Sequence, residues 1–188
     1  MGAMGNGHVG DLDFSPVVER PWHPLRVFVS LTSELMDHPP GRSFLAAAED
    51  ALKRAGHAFN HMGFFGAADR RPADFCMSRV MRCDVYVGLI GRCYGTEVPD
   101  RPDVSYTELE FETATRAGLR RLIFLLHDDA APRRREPRGH SARQQAFRVR
   151  LRGGAERNQC HYVLANTAQP LHELLSGYLA FRLRTTTR

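Results

Sequence analysis

Ser105-Tyr106-Thr107-Glu108-Leu109-Glu110-Phe111, followed by Ala114 and Gly118, places three carboxylates on one predicted helix, and their spacing separates them. At about 100° per residue, Tyr106, Leu109, Thr113, Ala114 and Ala117 share an arc, and Glu110 falls inside it. Glu108, Glu112, Thr115 and Arg116 take the opposite side, where Glu112 can pair with Arg116 one turn on. An ionised carboxylate on a buried face is costly unless it is paired or faces a polar cavity. Glu110 is therefore either an active group or a structural carboxylate held by an arginine or by backbone N–H groups.

The elements around it follow from periodicity. Arg26 to Ser30 is a short apolar run ending in small polar residues, as a buried strand opening into a loop would be. Ser43 to Ala55 has helical spacing and stops at Gly56. Ala58 to Met62 is a weak strand, and Pro72 opens a helix through Ala73, Cys76, Met77, Val80 and Met81. Asp84 to Gly91 is the continuous apolar run of a central parallel strand. The Glu110 helix ends at Gly118, and Leu122 to Leu126 forms the next strand. Ser141 to Leu151 is a further helix, His161 to Ala165 a fifth strand, and Pro170 starts a last helix through Leu171, Leu175 and Leu179. Strand and helix alternating five times predicts one doubly wound α/β domain with a five-stranded, mainly parallel sheet flanked by helices.

In such a sheet, ligands bind outside the carboxyl ends of the strands, where the strand order reverses. With a flavodoxin-like order that point lies between the first and third strands. Ser30 to Ser33, the loop Gly91-Arg92-Cys93-Tyr94-Gly95-Thr96, and the segment through Ser105 and Thr107 into the Glu110 helix then converge there. The small and hydroxyl residues of these segments allow close backbone approach and offer hydrogen bonds to a sugar or phosphate. There is no G-x-x-x-x-G-K-[ST] and no G-x-G-x-x-G after a strand, so neither P-loop NTPase nor dehydrogenase chemistry is indicated.

Composition narrows the remaining classes. With 188 residues, 43% of them hydrophobic, the chain can bury one real core. No run approaches the ~20 apolar residues of a membrane span, and residues 1–25 lack a signal peptide's apolar core, so a cytoplasmic protein is expected. Met1-Gly2-Ala3-Met4 reads as a cloning remnant at the head of a flexible arm over residues 1–25; the domain is read as 26–183 and the tail as 184–188. Cys76, Cys83, Cys93 and Cys160 form no C-x-x-C pair, and the nine histidines show no ligand spacing, so free thiols and no metal are expected. Residues 1–131 carry 14 basic and 18 acidic side chains, a net of −4, while residues 132–188 carry 12 and 3, a net of +9. Arg133, Arg134, Arg135, Arg138 and Arg143 lack interleaved aromatics, so this stretch reads as a solvated loop rather than a nucleic-acid interface. Trp22 is expected to anchor a sheet edge.

Val27-Phe28-Val29-Ser30, Cys76, Cys83-Asp84-Val85-Tyr86-Val87-Gly88-Leu89-Ile90-Gly91, Tyr94-Gly95, the Ser105 to Phe111 block, Ala114, Gly118 and Phe124-Leu125-Leu126 together resemble the domain of unknown function DUF4062. The resemblance runs from about Arg26 to about Leu183. It implies a fold similar to TIR domains and nucleoside 2-deoxyribosyltransferases, some of which cleave an N-glycosidic bond in NAD or a nucleoside. It also implies a module of larger STAND-type NTPase and repeat proteins with immune-like signalling roles. Thr107, Glu110 and Ala114 keep the T-x-x-E-x-x-x-A spacing of the deoxyribosyltransferase glutamate, and Asp84 matches an acidic residue at the start of that superfamily's third strand. One departure stands out. Relatives carry G-x-R-Y-G where this chain has Gly91-Arg92-Cys93-Tyr94-Gly95, which leaves Arg92 as the nearest substitute guanidinium.

The expected chemistry is N-glycosidic cleavage of NAD or a related nucleotide, bound as substrate, with no cofactor. Glu110 would stabilise or attack the developing ribosyl cation. Ser30, Thr32, Gly91, Arg92, Tyr94, Ser105 and Thr107 would hold sugar or phosphate, with Asp84 near base or sugar. The alternative is a non-catalytic module that self-associates or docks on NTPase or repeat domains of the same protein.

Overall fold

The computed structural model describes residues 23–61, 73–127, 139–153, 159–164 and 167–182. Trp22, the arm before it, Arg133 to Arg138 and the side chain of Cys160 lie outside the described residues. Strands β1 (Arg26–Leu31), β2 (Ala58–Asn60), β3 (Val85–Ile90), β6 (Arg120–Leu126) and β7 (Gln159–Leu164) form one sheet in the order β2-β1-β3-β6-β7. Every pairing in it is parallel. The remaining two strands, β4 (Glu97–Val98) and β5 (Arg101–Ser105), make a small antiparallel hairpin. With the hairpin set aside, the order reverses between β1 and β3, as in flavodoxin-like sheets.

The period-2 alternation of the strands builds two cores. Val27, Val29, Val85, Val87, Leu89, Leu122, Phe124 and Leu126 face one side, packed under α1 (Phe44–Arg54) and α5 (Gln169–Arg182). Phe28, Tyr86, Ile90, Ile123 and Leu125 face the other, against α3 (Tyr106–Arg116) and α4 (His140–Gly153). Between β2 and β3, α2 (Ala73–Met81) packs on α3 through Ala73, Cys76 and Leu109. Ser30 lies two residues beyond Phe28 on β1 and so shares its face, under α3.

Helix ends match their residue types. Ser43 caps α1 by accepting from the Ala46 N–H, and Ser105 caps α3 by accepting from the Glu108 N–H. After each of these helices a glycine takes the left-handed region, Gly56 at φ 72° and Gly118 at φ 67°. The hairpin and a one-turn 3-10 helix at Ser33–Leu35 were not expected from the sequence. Pro99, Asp100 and Pro102 read as loop, and two very short paired strands are too weak a periodic signal to override them.

The buried face of α3 is wider than the predicted arc. Thr107, Leu109, Glu110, Phe111, Thr113 and Ala114 are buried, whereas Ala117 is exposed. Glu112 pairs with Arg150 of α4 at 3.6 Å rather than with Arg116. Glu108 is not solvated, because it bonds Tyr94 and Arg150.

Candidate active site

Glu110 reaches inward from the second turn of α3 to the sheet beneath it. Its Oε2 accepts from Ser30 Oγ at 2.5 Å, and its Oε1 accepts from Cys76 Sγ at 3.3 Å. The residue is 3% exposed, and burial pushes its carboxyl up to about 7 against the opposing pull of the two hydrogen bonds. The same environment affects its neighbours. Burial, with Glu110 adding to it, raises the Cys76 thiol far beyond the range where a thiolate forms, so Cys76 is a donor and not a nucleophile. Tyr86 is completely buried, its hydroxyl raised first by burial and then by Glu110. Its ring lies along Gly88, where an added Cβ would meet Tyr86 Cε1 at 3.0 Å. Ser30 pairs with Gly88 across the strands, so the missing side chain there leaves the ring room to run toward Ser30 and Glu110.

The two strands that flank the reversal point are tied together at their carboxyl ends. Thr32 Oγ1 accepts from the Gly91 N–H at 2.8 Å, and the Thr32 N–H donates to the Leu89 carbonyl at 3.2 Å. Glu34, on the 3-10 helix, accepts through Oε1 from the Arg92 and Cys93 N–H groups at 2.7 and 2.8 Å. Gly91 is required here because a Cβ would fall 2.0 Å from Glu34 Oε1. From α4, Gln144 Nε2 and Arg148 both donate to the Gly91 carbonyl, at 2.9 and 2.7 Å, and Arg148 also reaches the Ile90 and Leu126 carbonyls.

Of the residues expected at this site, Ser30 touches Glu110 directly. Thr107, one turn before Glu110, donates to the Leu31 carbonyl at 3.4 Å. Thr32 and Gly91 bond each other, and Ser105 caps α3. The Tyr94 hydroxyl accepts from the Ser105 N–H at 3.2 Å and donates to Glu108 at 2.7 Å; burial and that donation push it up to about 12. It therefore fastens the β3 loop to α3 from inside. Tyr94→Phe is expected to lower stability by about 1–3 kcal/mol, read as a shift in the urea midpoint at unchanged slope. Arg92 is exposed, its N–H serving Glu34.

Asp84 does not join the group. It precedes β3, so it sits at the amino end of the sheet, about 20 Å of strand away from Gly91. There it forms an ion pair with Arg26 at 2.9 Å, and that partner holds its carboxyl below the usual range. Glu34, Tyr86, Gln144 and Arg148 belong to the site neighbourhood without having been singled out beforehand, since each acts across 22 to 59 residues of sequence or through burial alone. Among the described residues, no three His, Cys, Asp or Glu side chains converge so as to hold a metal ion, and no helix is long and apolar enough to cross a membrane.

The model of a family described as a domain of unknown function, DUF4062, matches residues 26–173. No curated protein matches the chain. Among solved structures, the chain is similar to the Clostridium botulinum CMP N-glycosidase BcmB, at 17% identity and a TM-score of 0.44, over 81% of this chain and 98% of that one.

Proposed function

We propose, for a chain that belongs to the DUF4062 family, that the domain cleaves the N-glycosidic bond of a nucleotide, NAD or a related one, with Glu110 as the reacting carboxylate. Family membership supplies no activity, because the family is itself one of unknown function. The observation that carries the reading is a carboxyl buried beside the strand-order reversal, its oxygens bonded to Ser30 and Cys76; that burial pushes it up to about 7. A carboxylate so placed, with a serine bonded to one oxygen, stabilises positive charge far better than one in water. When nicotinamide leaves as a neutral base from a cationic glycoside, no general acid has to protonate it, so one carboxylate suffices. Electrons of the C1–N bond depart with the base, and the cation left at C1 is stabilised by the Glu110 carboxylate until water adds to C1 and gives up a proton to that carboxylate or to solvent.

Glu110 is only 3% exposed, so the reading requires Cys76 and the α2 turn carrying it to shift aside before a ribose can reach the carboxylate. The same closure favours a second reading. A carboxyl with both oxygens bonded internally can be a polar lock joining α3 to β1 and α2, in a domain that acts by self-association or by docking within a larger signalling protein. Incubating the protein with NAD and with 2'-deoxynucleosides, and following base release by chromatography, separates the two. The proposed reaction requires release that is lost in Glu110→Gln and kept in Glu108→Gln. No release from any nucleotide, together with concentration-dependent self-association, establishes the second reading instead.

A further inference from the structure

We infer that the backbone N–H groups of Arg92 and Cys93 form a phosphate-binding site at the carboxyl end of β3, and that the chain's own Glu34 carboxylate fills it as an internal competitor. Both groups donate to one oxygen, Glu34 Oε1, at 2.7 and 2.8 Å. Successive backbone N–H groups that converge on one point make a concavity of the kind in which proteins hold phosphate. Its position agrees, since ligands of a doubly wound sheet dock outside the carboxyl ends of the strands at the order reversal.

The rest of the loop is set in advance. Thr32 Oγ1 accepts from the Gly91 N–H, while Gln144 and Arg148 of α4 donate to the Gly91 carbonyl. The next two N–H groups therefore keep their direction when Glu34 leaves. Gly91 supplies the room, because an added Cβ would lie 2.0 Å from Glu34 Oε1, the place an anion's oxygen would take.

Glu34 fits imperfectly as the permanent occupant. It is completely buried, yet its Oε2 has no hydrogen-bond partner among the described residues. Buried polar atoms are with few exceptions paired, and an orphan acceptor weakens the hold of the group that carries it. Displacement asks little of the backbone. Glu34 sits on the single 3-10 turn Ser33–Leu35, whose N-cap Thr32 makes no side-chain cap bond, and Leu35 beside it is anchored in the core. The carboxylate leaves by its own side-chain torsions. The site does not depend on a reaction at Glu110; where the nucleotide reading holds, it places that nucleotide's phosphate.

Titration of the isotope-labelled full chain with inorganic pyrophosphate, followed through the backbone amide NMR signals of Arg92 and Cys93, tests the inference, with sodium chloride at matched ionic strength as control. Saturable shifts of both signals are expected in the wild type by about 10 mM. Glu34→Ala removes the competitor and should tighten binding about tenfold or more. Glu34→Gln keeps an uncharged acceptor in place and should fall between the two; being isosteric, it carries the test if the alanine variant does not fold. Gly91 is not among the left-handed glycines, so adding Gly91→Ala to either variant costs no backbone strain and should abolish the gain by filling the vacated space. The inference is overturned if the two amides stay unmoved in the wild type, if neither Glu34 variant binds more tightly, if Gly91→Ala leaves the gain intact, or if chloride reproduces the shifts. Base release plays no part in this measurement, so the inference and the reaction proposed for Glu110 stand or fail separately.

Discussion

Glu110→Gln is expected to make the protein more stable at pH 8 while abolishing base release. Burial carries this carboxyl from its ordinary 4.5 to about 7, so the folded state binds the proton more tightly than the unfolded chain does. The favourable term is complete below about 4.5. It is lost as pH rises toward 7, and above that the ionised group costs the fold roughly 3 kcal/mol. Glutamine removes that cost, and its amide can still donate to Ser30 Oγ. The variant should therefore be more stable by roughly 2–3 kcal/mol at pH 8, read as a higher urea midpoint at unchanged slope, and match the wild type near pH 4. Over the same range, wild-type base release should rise with pH and level off above about 7, because the ionised form meets the ribosyl cation. A rate loss of about 10³-fold is the scale for removing one such electrostatic partner. The gain in stability follows from burial alone; it is the simultaneous loss of base release that marks the carboxylate as an active group. A Glu110→Gln protein that is instead less stable at pH 8 would mean that the carboxylate serves as the lock between α3, β1 and α2.

The second large effect is structural. Arg148, on α4, is 2% exposed and donates to the carbonyls of Ile90, Gly91 and Leu126 at the carboxyl ends of β3 and β6. Arg148→Met keeps an apolar stem and removes the donors, leaving buried carbonyls under-satisfied at about 1–3 kcal/mol each. We expect a loss of roughly 3 kcal/mol or more and a melting temperature lower by roughly 6–12 °C. Because Gly91 then loses a hydrogen bond that positions the β3 loop, base release should fall as well. A melting temperature within about 2 °C of wild type would show that the Gln144 bond to Gly91 suffices alone.

Much of this arrangement was legible beforehand because it is local or periodic. The apolar runs of β1, β3 and β6 and the helical spacings of α1 and α3 report burial directly. Glu110 stood out because an acid at a core position is a conflict that one turn of helix exposes. Ser30 followed from strand order, since β1 and β3 flank the reversal. Asp84 was misplaced for a reason the sequence already contained. It precedes its strand, and the polarity of a parallel sheet puts that end away from the ligand crevice; the superfamily likeness pointed the other way. Glu34 and Arg148 gave no local signal, because what defines them is which backbone N–H or carbonyl lies within reach after the chain has folded.

From the amino-acid sequence by itself came the α/β class, the strand polarity and the identity of the carboxylate on the buried face of α3. These depend on periods of 2 and 3.6 residues and on turn chemistry, which neighbouring residues settle between themselves. Only the tertiary structure decided what that carboxylate meets, that Cys76 and Ser30 close on it, and that Asp84 pairs with Arg26 at the opposite end of the sheet. Hydrogen bonds and desolvation act over a few ångströms in space, and Ser30 and Glu110, 80 residues apart, come within that range only once the sheet is assembled.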